Sequence, residues 1–313
     1  MKIINLAIFK KTLFDFMKIK NIVIYLAIIS LPLLLFSNLS EEGKMFLNLS
    51  MELKTEYLFG FFLIFSFFWV CGISISMLSI IVCSSFVAEE ASDKTLLLMV
   101  SKPVSRTSML FSKFLAFIVI SLIFSMLSIF TSIYVWASAF NLDIYSLGKF
   151  FSLIPILVLY SVFVSILFGS LSAAISALFS SKIKVLIPMI AILMITFFAF
   201  IPIRGATQEL GVYQSYFLDS IDLGYDLGNI YINTLESFNI KLIPFVQSII
   251  GTFTGTYFIP KDGIRIDYDH GFILETLEKT GYHTLYYSFG KWIIMPIILI
   301  SMGLIIFNKR DVH

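Results

Sequence analysis

Of the 313 residues, 58% are hydrophobic, 16% aromatic and only 13% charged, and the mean hydropathy is +0.95. That composition excludes a soluble globular domain and points to an integral membrane protein. A formal net charge of +2 comes without any block of basic residues, and no nucleic-acid partner is expected.

The N-terminal residues 1–20 read as an amphipathic helix lying in the interface. Ile3, Leu6, Phe9, Leu13, Phe14 and Met17 share one arc of a helical wheel, and Asn5, Lys11, Thr12, Asp15 and Lys18 share the other. The stripe is imperfect, because Lys10 falls in the apolar arc and Ile4 and Ile8 in the polar one. On this reading the lysines meet anionic headgroups and the phenylalanines the acyl boundary. The plainer alternative is a charged flank that orients the first span.

Apolar runs long enough to cross a hydrocarbon core follow at about 22–37, 57–87, 111–140, 150–179, 185–203 and 286–307. Six helices, not a barrel, are therefore predicted to span the membrane. The first run has the charge pattern of a signal sequence, but "SNLSEEGK" after it offers no small-x-small cleavage site, so it is read as a retained span. Cys71 and Cys83 lie in the second run, about 18 Å apart along a helix, and cannot bridge each other.

Lys and Arg set the orientation. With a cytoplasmic N-terminus, thirteen of the 22 bases fall in four short inner segments, and the outer nine are spread over long loops that also hold fifteen of the 20 acids. Both termini are thus expected in the cytoplasm, with the chain multi-pass in the plasma membrane. Residues 204–289 become a large extracytoplasmic segment before the last helix. Within it, 240–260 is apolar but interrupted by Pro244, Gly251 and Gly255. It is read as a re-entrant or membrane-surface hairpin, since a seventh crossing would put "NKRDVH" outside against the charge rule. Asp219, Asp222 and Asp226 lack the spacing of a calcium loop and are read as solvated.

The most distinctive segment joins the second and third runs, at 88–110: "AEEASDKTLLLMVSKPVSRTSML". Glu89, Glu90 and Asp93 lead, and Lys102 and Arg106 follow, the order that suits a helix dipole. Leu96, Leu97, Met99 and Val100 give that helix an apolar side, and Pro103 ends it.

Here the chain resembles the membrane subunits of type-2 ABC exporters. Their second and third spans are joined by a pair of acids, a Gly-Thr, a leucine run, a Pro-Val-Ser-Arg stretch and a Gly-Lys or Ser-Lys start to the next span. The pattern is met by Glu89, Glu90, Thr95, Leu96 to Leu98, Lys102, Pro103, Val104, Ser105, Arg106 and Lys113, with Lys94 departing where the family has Gly. The closing "FNKRDV" is also similar to the family's usual ending. The resemblance implies a permease subunit of an exporter that docks two separate ATP-binding subunits. The docking residues would be Glu89, Glu90, Asp93, Thr95, Lys102, Pro103, Val104, Ser105 and Arg106. It also implies a second permease, the same chain or a sibling, with the pathway between the two.

This chain is not expected to hydrolyse ATP. None of its Gly-Lys pairs is followed by Ser or Thr as a phosphate loop requires, so ATP and Mg belong to the partner subunit and no cofactor is expected here. The histidines, His270, His283 and His313, have no partner at metal-ligand spacing. Ser74, Ser76 and Ser79 form a polar stripe on the second span and are a possible pathway face, unless they only bond back to their own helix. The apolar spans point to an apolar or amphipathic cargo rather than ion coupling. Two other functions remain open: ATP-driven mechanical transmission to an outer partner without transport, and a lipid-modifying membrane enzyme, for which "DYDH" is the one poor candidate.

Overall fold

The computed structural model describes residues 4–39, 51–92, 105–258, 264–267, 271–274 and 277–309. Six helices in it are long and apolar enough to cross a membrane: Ile19–Phe36, Lys54–Ser92, Arg106–Phe140, Ile144–Leu178, Lys182–Gln208 and Leu285–Asn308. The protein is an all-α polytopic membrane protein, and each predicted run falls on one of these spans. Six crossings return both chain ends to the same side, here called the terminal end; the opposite side is the far end.

Local chemistry sets the helix starts and stops. Asn5 caps the N-terminal helix Leu6–Phe16, its side-chain oxygen accepting from the amides of Ala7 (3.1 Å) and Ile8 (3.3 Å). Ser105 accepts from Ser108 N at 3.2 Å and starts the 35-residue third helix, which ends at Asn141 in the left-handed conformation, φ 51°. Asp143 caps the next helix through Ser146 N.

The N-terminal helix packs against the third span and leaves part of its apolar arc outward. Ile8 and Thr12 are buried on the side that packs against the third span, and Leu6 and Phe14 are 62% and 66% exposed. Thr12 satisfies its own hydroxyl on Ile8 O at 3.0 Å, and Asn5 spends its side chain on the cap, so both polar residues fit a packed face. Asn5 N also donates to Ser112 Oγ of the third span at 2.8 Å.

The second, third and fourth spans form the core, with half or more of their most apolar stretches buried; the first, fifth and sixth are peripheral, with less than a quarter buried. Small residues on the fourth span permit this packing. A Cβ added at Gly169 would meet the Phe117 ring at 2.5 Å, and Ala173 and Ala177 are buried. The stripe thus serves packing within the chain. Two spans contain wide π-helical turns, Ser66–Ser74 in the second and Ile195–Ala199 in the fifth. These face each other: the Phe67 and Phe68 rings both lie 6.3 Å from that of Phe197.

Between the fifth and sixth spans, the far end carries the helices Leu218–Ile221, Leu223–Ser237 and Pro244–Thr254 and a two-stranded antiparallel hairpin, Ile264–Asp267 with Gly271–Leu274. The apolar run at 240–260 contains one helix of 11 residues, about 17 Å long, against a hydrocarbon core of about 30 Å. Gly255, at φ 72°, then reverses the chain.

Candidate functional site

The distinctive connection begins on the second span itself. That helix continues through a turn at residues 85–87 into Ala88–Ser92, which carries Glu89 and Glu90. The fourth span holds this foot in place. Ser176 Oγ accepts from the amides of Val87 and Ala88, each at 3.0 Å, and donates to Ser84 O at 3.1 Å; one turn earlier, Ser172 donates to Ile80 O. The backbone groups freed where the helix breaks are satisfied by these hydroxyls.

Two ion pairs then tie the foot to other spans. Glu90 meets Lys113 of the third span at 2.7 Å, with side chains only 14% and 6% exposed, and Lys113 also donates to Phe86 O at 2.5 Å. Glu89 meets Lys182, the first residue of the fifth span, at 3.0 Å in a more solvated setting. On the other side of the connection, Arg106 donates to Phe307 O at 2.7 Å and lies 5.6 Å from the centre of the Phe307 ring. A cation there complements the negative end of the last helix. The foot, the N-terminal helix and the starts of the third and fifth spans enclose a cavity of about 340 Å³, lined among others by Lys11, Asp15, Glu89, Glu90, Lys113 and Lys182.

Of the predicted docking residues, the structure thus places Glu89, Glu90, Ser105 and Arg106. Asp93, Thr95, Lys102, Pro103 and Val104 lie outside the described residues. Arg106 and both glutamates grip neighbouring spans, and Ser105 caps a helix. The serine stripe is interior rather than a face of the chain: Ser74, Ser76 and Ser79 are 5%, 0% and 0% exposed. Ser79 bonds back to Ile75 O at 2.7 Å, and the hydroxyls of Ser74 and Ser76 have no partner among the described residues.

At the far end, the three acids expected in solvent are instead withdrawn from it. Asp222 and Asp226 are fully buried, one helical turn apart at the start of Leu223–Ser237, where the helix dipole favours anions. Asp222 caps that helix through Tyr225 N at 3.1 Å, accepts from Tyr213 Oη at 2.8 Å and pairs with Arg204 of the fifth span, whose Nη2 lies at 3.0 Å. Arg204 also donates to Phe253 O at the end of the Pro244–Thr254 helix. Gly224 leaves room for this, since a Cβ there would stand 2.5 Å from both Arg204 Nη2 and Thr196 O. Burial, reinforced by the Asp222 carboxylate, pushes the Tyr213 hydroxyl far above its ordinary pKa and keeps it a donor.

Asp226 makes the corresponding tie to the sixth span. It accepts from Ser288 Oγ (2.7 Å), His283 Nδ1 (2.8 Å), Lys291 Nζ (2.8 Å) and Trp292 Nε1 (2.7 Å). Burial alone would raise its pKa, but these donors more than offset it and hold the carboxyl below its ordinary value. His283 is also paired through Nε2 with Asp219 at 3.4 Å. Among the described residues no group of three or more His, Cys, Asp or Glu is arranged to hold a metal.

The family model described as ABC-2 family transporter protein matches residues 10–217, about two thirds of the chain, and so covers the first five spans and the whole connection. The chain belongs to the ABC-2 transporter family. It is a permease, the membrane subunit of an ABC transporter, and the family implies pairing with an ABC ATP-binding subunit. Comparison with curated proteins finds no match.

The permease's clamps were only partly visible in its sequence. Lys113 stands in the family pattern, yet nothing in its spacing gives Glu90 as its partner across 23 positions. Ser172 and Ser176 look like any small residues of a packed span. Asp222 and Asp226 sit in a stretch, "DSIDLGYDLGN", whose polarity signals a solvated loop. The available clue was their four-residue spacing at a helix start, with Arg204 and Tyr213 upstream to receive Asp222 and bases and aromatics at 283–292 to receive Asp226.

Proposed function

We propose that this permease works in an exporter that moves an apolar or amphipathic substrate outward, driven by ATP and Mg bound to two separate ATP-binding subunits. The terminal end faces the cytoplasm of the cell that carries the protein in its plasma membrane, as the distribution of Lys and Arg supports. Two permeases, this chain twice or with a sibling, frame the pathway. The exposed faces of the peripheral first, fifth and sixth spans, rather than the interior serine stripe, are available to meet the partner or the lipid.

The observation that carries this reading is the grip of four spans on the connection at 88–110. Its foot is bonded to the third, fourth and fifth spans, and Arg106 at its other end to the sixth. A push applied there by a partner is delivered to four spans at once. The mechanical alternative, transmission to an outer partner without transport, draws support from the equally firm ties between the far-end segment and the fifth and sixth spans.

The test uses the permease purified with its ATP-binding partner and reconstituted in vesicles. Glu89→Ala combined with Arg106→Ala is expected to leave insertion and assembly unchanged but to remove the increase in ATP turnover that the permease gives its partner. A double variant that retains the full increase overturns the transmission route.

A further inference from the structure

The fifth and sixth spans both pack against the fourth, and between them a cavity of about 220 Å³ reaches the surface of the bundle. Its floor is Leu167 and Leu171 of the fourth span. One wall is Ile192, Ile195, Thr196 and Phe200, the other Trp292, Met295 and Leu299, and Ile221 and Leu223 roof it at the far end. Thr196 is the one hydroxyl in this lining, and it is already bonded to Ile192 O at 2.8 Å.

The cavity occurs where both walls depart from regular helix. Ile195 and Thr196 belong to the π-helical turn, and Met295 precedes Pro296, which lies inside the sixth span. Neither wall can simply close. The roof is fixed as well: Trp292 is bonded to Asp226, and Lys291 donates to Ser220 O at 2.6 Å beside Ile221. Its mouth is lined by Ile195 and Met295, 47% and 41% exposed, beside the exposed apolar side chains of Ile190, Met194, Ile294 and Ile298.

An apolar cavity offers water no hydrogen-bond partners, and one of about 150 Å³ already takes up benzene. Here the neighbouring phase is hydrocarbon, and leaving the cavity empty would forfeit dispersion contacts around its whole lining. We infer that the cleft between the fifth and sixth spans is a binding site for one acyl chain of a membrane lipid in the leaflet at the far end, inserted sideways between Ile195 and Met295. The inference does not depend on what the transporter carries.

The test is photolabelling of the full-length protein in vesicles of phosphatidylcholine with a diazirine part-way along one acyl chain, with adducts mapped by mass spectrometry. Adducts are expected on Leu171, Thr196 and Leu299 inside the cleft as well as on outward residues such as Ile297. Labels confined to outward residues overturn the proposal in the unaltered protein, whatever any variant does. In Leu171→Trp, which fills the cleft, the inner adducts should be lost and those on Ile297 kept. Inner adducts that persist in a folded Leu171→Trp protein also overturn it.

Discussion

Lys113 shows how much depends on one side chain in this fold. It is the inner member of the Glu90 pair and donates as well to Phe86 O, so its removal takes the cation from a carboxylate that is only 14% exposed. Lys113→Ala is expected to destabilise the subunit by about 3–5 kcal/mol. Replacing both partners, Lys113→Met with Glu90→Leu, should recover most of that loss, because an apolar pair of similar volume is often neutral. By contrast, Glu89→Gln breaks a pair whose members are 42% and 28% exposed, and should change stability by no more than about 1 kcal/mol. The thermal midpoint of monodisperse protein in detergent, recorded for the three variants, checks this order. At Gly224, Ala would press a methyl against Arg204 and Thr196 and cost about 1–3 kcal/mol, visible in the same assay.

Helices and segments behave as units because of such contacts. Leu223–Ser237 is fastened at its first turn by Asp222 to the fifth span and by Asp226 to the sixth. Asp226 has a folded-state pKa below the ordinary carboxylate value of about 3.9, so its contribution is complete above that value. It is lost as pH falls through the lower folded value. Hydrogen exchange along Leu223–Ser237 should therefore be flat from neutral pH down to about 4, after correction for intrinsic rates, and accelerate below it. Asp226→Asn should accelerate exchange there already at neutral pH, leaving the core spans unchanged. The spans themselves were legible in the sequence, because twenty apolar residues in a row leave few alternatives. The far-end tertiary structure was not, because a buried carboxylate and a solvated one look alike until the donors that surround them, drawn from 65 positions downstream, are brought near. Which side of the N-terminal helix meets the third span was not legible either: a wheel assigns Thr12 to water, but Thr12 is buried with its hydroxyl bonded to Ile8 O.

For the whole molecule, the orientation of the bundle is the most direct point to examine. The buried Cys71 and Cys83 should be silent to an impermeant maleimide. In intact cells, Tyr216→Cys at the far end should be labelled at once, and Lys184→Cys at the terminal end only after permeabilisation; the reverse pattern would invert the topology. The second span joins these two ends, starting near the far-end helices and finishing in the glutamates of the foot. Midway along it are the wide turns of Ser66–Ser74. A π turn holds one residue more than an α turn, so the helix carries slack. Letting that extra residue pass up or down by a turn changes the angular register of the stretch it crosses by about 100°, the rotation per residue of an α-helix, without breaking the helix as a whole. The rod linking the two ends therefore has a swivel built into its length.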